Sequence, residues 1–169
     1  LPLCLRDLEA SERTLGPDHP STLTSVNNLG SLYRILGRYD DALPLYLRAL
    51  EARERTLGPD HPRTLTSVNN LGYLYNNVGR TAEAADCFSR VLTSWDDPSD
   101  WKHHWARLGL ALCTLLDTGD DAEALAVVED LKALLGPDHD RVAKAHERIA
   151  KARAQIQAQL ADFPKEPTP

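Results

Sequence analysis

Six histidines are the side chains in this sequence best suited to bind a metal or move a proton: His19, His61, His103, His104, His139 and His146. Their spacing argues against both roles. His19, His61 and His139 each close a copy of one short motif, "GPDH", and stand far apart along the chain. His103 and His104 are neighbours, which on a helix point in different directions, whereas a helical zinc site uses a pair four residues apart. No metal and no other cofactor is expected. Cys4, Cys87 and Cys113 form no CxxC pair and are expected as free thiols in a reducing compartment, which places the chain in the cytoplasm. No Ser/His/Asp or Cys/His set converges, and neither GxxxxGK[ST] nor GxGxxG is present, so the chain is not expected to be an enzyme.

The chemistry that remains is that of amides. Thr24, Asn27, Asn28, Ser31 and Arg34 follow one another at helical spacing, opposite an apolar face, and Thr66, Asn69, Asn70, Tyr73, Asn76 and Asn77 do the same. A solvated helix face more naturally carries Glu and Lys, because asparagine is a middling helix former. An amide both donates and accepts, so such a row can pair with the backbone of an extended chain. A structural alternative holds for Asn28 and Asn70, which can instead bond between neighbouring repeats. The two rows differ mainly at Ser31/Tyr73 and Arg34/Asn76, as if this face had been tuned for binding.

The elements that carry these rows come from a repeated sequence. Residues 15–38 match residues 57–80 at 19 of 24 positions, and residues 1–14 match 43–56 at 11 of 14, which fixes a period of 42. A third "LGPDH" at 135–139 arrives early, so one intervening unit is shorter, with "SWDDPSD" at 94–100 in place of its motif. Each unit reads as two helices. Leu23, Val26, Leu29, Tyr33 and Leu36 mark the first, ended by Gly37. Ala42, Leu43, Tyr46, Ala49 and Leu50 mark the second, with Pro44 placed near its first turn. Gly58 is expected to end a helix, Pro59 to prevent its continuation and Asp60 to cap the next. Helices are expected near 20–36, 40–57, 62–78, 81–94, 100–116, 120–135 and 138–163. In the last, Val142, Ile149, Ile156 and Phe163 recur every seven residues, with Ala145 and Ala152 between them. The alanines favour packing within the chain over a coiled-coil partner. The chain begins inside a repeat unit, which suggests a domain of a longer protein and leaves Leu1, Leu5 and Leu8 without cover.

These units resemble the tetratricopeptide repeat. "NNLGSLYRILGRYDDALPLYLRAL" carries Leu29-Gly30, Tyr33, Gly37, Ala42, Tyr46 and Ala49, and "NNLGYLYNNVGRTAEAADCFSRVL" carries Leu71-Gly72, Tyr75, Gly79, Ala84 and Phe88. The long period and "LGPDHPxTLTSVNNL" resemble the kinesin-light-chain-like subclass. The resemblance implies an all-α fold, a right-handed α-solenoid of helix-turn-helix repeats with a C-terminal capping helix. One array is expected over 1–163, comprising a half repeat at 1–15, repeats at 20–57 and 62–94, a degenerate repeat at 100–135 and the capping helix at 138–163. Residues 164–169 are expected as a disordered tail. In "WARLGLALCTLLDTGDDAEAL", either a turn is inserted near Asp117-Thr118-Gly119 or Leu112 replaces the repeat glycine. If Gly109 keeps the usual register, His103 and Arg107 join the binding groove.

Family resemblance further implies that the first helix of each pair lines a concave groove for a protein or peptide ligand. The two rows above then become the groove, and the chain a non-catalytic scaffold. An acidic peptide reaching Arg34 and Arg107 is one ligand this allows. The alternative is a regulatory, sensor or self-assembly module of a larger signalling enzyme or ATPase of bacterial type, docking on another domain of its parent or associating end to end. The net charge of −6 and the lack of a basic run exclude nucleic acid as a partner, and no apolar run is long enough for a membrane. Trp101, Trp105, Leu108 and Leu112 are spaced for core packing, with an adhesive tryptophan patch as the sharper alternative.

Overall fold

The computed structural model describes residues 2–95 and 97–161. Leu1, Phe163 and the tail at 164–169 lie outside the described residues. Within them the chain is all-α, with eight helices and no strand. The chain divides into two compact units, the first ending at Ser94 and the second beginning at Trp95. The first unit holds α1 (Pro2–Leu15), α2 (Pro20–Ile35), α3 (Tyr39–Leu57), α4 (Pro62–Asn77) and α5 (Thr81–Ser94). The second holds α6 (Trp101–Thr118), α7 (Ala122–Leu135) and α8 (Asp140–Ala161).

The "GPDHP" motif is a helix stop followed by a helix start, and its parts divide the work differently from the sequence expectation. Gly58 takes a positive φ of 91°, and its N–H bonds to the Glu54 carbonyl at 3.1 Å, closing α3. The cap of α4 is His61, not Asp60. His61 has extended backbone angles, and its Nδ1 accepts the Arg63 N–H at 3.1 Å while Pro62 opens the helix. His19 caps α2 in the same way, and His139 accepts the Arg141 N–H beside the start of α8. Asp60 stands one residue too early to cap. It accepts from Ser94 Oγ at 2.8 Å, and Asp18 pairs with Arg55, so in these two turns the motif aspartate ties the turn to the end of the following helix pair. Arg48 and Arg90 reinforce this by pairing with Glu12 and Glu54, both at 2.7 Å.

Pro44 also departs from expectation. It lies past the first turn of α3, where its missing N–H removes a helical hydrogen bond. Its ring faces solvent and the helix continues through it, held by the burial of Ala42, Tyr46 and Ala49.

Within the first unit, each helix pair closes on a glycine facing an aromatic ring. A Cβ on Gly30 would stand 3.1 Å from the Tyr46 ring, and one on Gly72 would stand 2.9 Å from the Phe88 ring. Both rings are fully buried. Successive pairs are then joined through shared apolar clusters. Leu8 of α1 packs with Val26, Leu29 and Ala49, so it is covered, whereas Leu5 is exposed. Ala42 and Tyr46 pack with Leu71 and Leu74 of α4. Full burial of such a leucine contributes about 1.5–3 kcal/mol.

In the second unit, α6 runs unbroken to Thr118 and Gly119 closes it in the left-handed region, its N–H bonding to Leu115 at 2.8 Å. No turn is inserted. Gly119 and Ala124 each follow Gly79 and Ala84 by 40 residues, so Leu112 takes the place of Gly72 and Val128 that of Phe88. The small–large pair has become a large–small one, and both residues are buried. The stripe Val142, Ala145, Ile149 and Ala152 of α8 is buried within the unit, against α6 and α7, as its alanines suggest.

The cap assignment has a direct consequence. His61→Ala should lower stability by about 1 kcal/mol, a Tm shift of about 2–4 °C, while His61→Asp, which keeps an acceptor, should lose less. Asp60→Ala should cost less than His61→Ala in the same thermal melts; the reverse order would return the cap to Asp60.

Candidate interaction surface

The first helices of neighbouring pairs, α2 and α4, lie side by side, and the two amide rows meet between them. Asn70 Nδ2 donates to Asn27 Oδ1 at 3.3 Å. Asn70 therefore makes the inter-repeat bond, and its partner is Asn27, a residue the sequence placed among the ligand contacts. Asn27 and Asn76 are each 7% exposed and Tyr73 is 4% exposed. Three members of the proposed row are thus largely buried. Thr24, Asn28 and Thr66 face solvent, and Ser31, Arg34, Asn69, Asn70 and Asn77 are half-buried. Asn28 and Asn77 make no side-chain hydrogen bond among the described residues, and Asn69 Oδ1 and Arg34 Nε are left without a partner. Thr24 and Thr66 return their hydroxyls to the first carbonyls of their own helices, at 2.8 Å each.

The exchange of Ser31 for Tyr73 has a packing cause. In the first pair Tyr46 Oη donates to Ser31 Oγ at 2.9 Å. In the second, Phe88 has no hydroxyl to place, and the Tyr73 ring meets it edge-on with centroids 4.9 Å apart. The two changes compensate each other inside the fold, which gives this difference a packing cause.

His103 and Arg107 belong to the second unit. His103 Nδ1 lies 3.1 Å from the Trp95 carbonyl. Arg107 reaches across to α7, pairing with Glu123 at 2.5 Å and Asp130 at 2.8 Å. Burial pulls its pKa down, but the two carboxylates outweigh this and hold it above the ordinary arginine value. An acidic ligand would have to displace both.

One buried cation escaped the sequence reading. Arg53, 5% exposed, donates to the Arg63 carbonyl at 3.0 Å, Ser67 Oγ at 2.7 Å and the Leu23 carbonyl at 3.3 Å. It pins α3 to α2 and α4 with neutral acceptors alone. Burial lowers its pKa, and the nearby charge of Arg63 lowers it further. The signal was present, because Arg53 continues the buried stripe Ala42, Tyr46, Ala49 at helical spacing. A shallow pocket of roughly 200 Å³ opens between the start of α3 and the end of α4, lined by Tyr39, Leu43, Leu74, Tyr75 and Val78 among others; it contains no residue of the amide rows. Among the described residues no group of three His, Cys, Asp or Glu side chains is placed to hold a metal, and no helix is long and apolar enough to cross a membrane.

The family model described as Tetratricopeptide repeat matches residues 1–54 and 23–97, together more than half of the chain. The chain belongs to the tetratricopeptide repeat family. Repeats of this family are generally protein-interaction scaffolds. Solved structures that share the fold include a putative kinesin light chain of Podosopora anserina with nearly identical TPR-like repeats, at 22% identity and TM-score 0.63, covering 93% of this chain and 77% of that one. A single-substitution form of the same protein gives 22% identity and TM-score 0.64, covering 93% and 76%. BtubC (BKLC) from P. vanneervenii matches at 21% identity and TM-score 0.56 over 96% of this chain. The tetratricopeptide chain spans only 57% of the length of BtubC. No curated protein sequence matches it.

Arg53 offers a test of how the tetratricopeptide pairs are locked together. Arg53→Ala removes three hydrogen bonds, two of them buried, and should cost about 2–3 kcal/mol. Arg53→Lys should recover little, because a single ammonium cannot reproduce the fork. Chemical denaturation of the three proteins checks this; an Arg53→Ala curve that overlays the parent would remove Arg53 from the account.

Proposed function

We propose that this chain is a non-catalytic scaffold that receives an extended segment of a partner protein along the amide rows of α2 and α4. The observation that carries this reading is the Asn27–Asn70 bridge, which brings the two rows into one polar strip. Asn28, Arg34, Asn69 and Asn77 along that strip retain unused hydrogen-bonding capacity. Amides and a guanidinium on a rigid helical support suit main-chain recognition, since the ordering cost falls on the ligand alone. His103 and Arg107 have no part in this reading. The free cysteines Cys4, Cys87 and Cys113 support a reducing compartment such as the cytoplasm.

A second reading, self-association through α1, is favoured by Leu3, which is 71% exposed beside exposed Leu5. Partner capture from cell extract, using the parent and an Asn28→Ala/Arg34→Ala/Asn77→Ala variant of matched helicity, separates the two. The scaffold reading expects partners on the parent that are lost on the variant, with a mass that does not change with concentration. Partners retained by both, together with a mass that rises with concentration and falls back in Leu3→Glu, would transfer the function to the α1 face.

A further inference from the structure

In the second unit, the cations between α6 and α8 are seated on tryptophan rings. The Arg141 guanidinium carbon lies 3.7 Å from the centre of the Trp101 ring, and Arg148 lies 4.8 Å from that of Trp105. Lys102 Nζ is 4.4 Å from the Trp95 ring and 5.9 Å from Trp101. The chain has 25 acidic residues against 19 basic ones, and several of its fourteen arginines find carboxylates: Arg38 with Asp41, Arg80 with Glu83, Arg90 with Glu54. Arg141 has no carboxylate at ion-pair distance among the described residues. Lys102 has only a long contact, 3.5 Å, with Asp100. A guanidinium this close to an indole face spends its flat side on the ring and leaves its N–H edge free to point at an acceptor.

The surroundings extend this positive surface. Lys144 and Lys151 are exposed on α8, and of the nearby carboxylates Asp140 is taken up by Lys144 at 2.5 Å, leaving Glu147 exposed on the same helix.

We propose that this α6–α8 face docks an acidic polypeptide segment, its Asp and Glu side chains meeting the outward edge of Arg141 and the ammonium groups of Lys102 and Lys151. Charge complementarity selects the partner class. Single-stranded nucleic acid, the other ligand of mixed aromatic and basic surfaces, needs open rings for its bases. These rings are covered by the protein's own cations, and the net charge of −6 opposes a phosphate backbone. The inference concerns the second unit alone and does not depend on the α2–α4 reading.

The chain's three tryptophans, Trp95, Trp101 and Trp105, all belong to this cluster, so intrinsic fluorescence reports on it directly. Titration of the whole chain with an oligoglutamate peptide should give a saturable change in emission that weakens as salt is raised. Arg141→Gln should weaken binding by about 10-fold or more. Lys151→Gln, on the exposed side of α8, should weaken it by about 3-fold and guards against a folding defect in the first variant. Arg38→Gln, in the first unit, should respond like the parent. The proposal is overturned by the absence of a saturable response, by oligothymidylate binding as tightly as oligoglutamate, or by parental affinity in both Arg141→Gln and Lys151→Gln.

Discussion

Everything in the first unit depends on how closely two helices of a pair can approach. Gly30 and Gly72 let the Tyr46 and Phe88 rings lie against bare backbone, where an added carbon would crowd Tyr46 and force Phe88 to shift. That contact sets the separation within a pair. It also positions Ala42 and Tyr46 of α3 to form a cluster with Leu71 and Leu74 of the next pair. Protein interiors tolerate neither voids nor overlap, so a change on one side of such a contact must be answered on the other. The three pairs show this in different ways. Tyr46 with Ser31 gives way to Phe88 with Tyr73, and in the second unit a leucine stands at the glycine position with a valine at the ring position.

The turns between pairs are as economical. One five-residue motif stops a helix, forbids its continuation, anchors itself to the next pair through an aspartate and starts a new helix through a histidine. The recurrence of histidine, which first suggests metal chemistry, has a backbone cause. An imidazole whose lone pair accepts a helix N–H fills the role usually given to serine or aspartate. The buried Arg53 adds a polar lock to the same junction, and its three neutral acceptors show that the array tolerates a buried charge where backbone carbonyls converge.

The helices, their order and their buried stripes are legible in the sequence, because a period of 42 and the spacing of Leu23, Val26, Leu29, Tyr46 and Ala49 leave little freedom. Exposure on the polar rows is less legible. Asn27, Tyr73 and Asn76 look like surface residues by type, yet neighbouring helices cover them, and helical spacing within one segment says nothing about what an adjacent segment buries. The cap is displaced by one residue from its expected place because aspartate is the commoner cap and stands next to the histidine. Counting from Gly109 puts Arg107 in the groove; the α6 turn falls at Gly119, and Arg107 pairs with Glu123 and Asp130 of α7. The tryptophan–cation cluster is not legible at all, since Arg141 and Trp101 are far apart in sequence and meet only through the packing of α8 on α6.

The central claim is that neighbouring repeats differ where their interiors must compensate, so that Ser31/Tyr46 and Tyr73/Phe88 are interchangeable units. A double-mutant cycle tests it directly by moving the second pair into the first, with Ser31→Tyr and Tyr46→Phe measured singly and together by chemical denaturation. The account predicts that each single change destabilises and that the double variant recovers most of the loss, a coupling of about 1 kcal/mol or more. Additive losses would contradict it, and the difference between the two rows would then call for an explanation outside the fold.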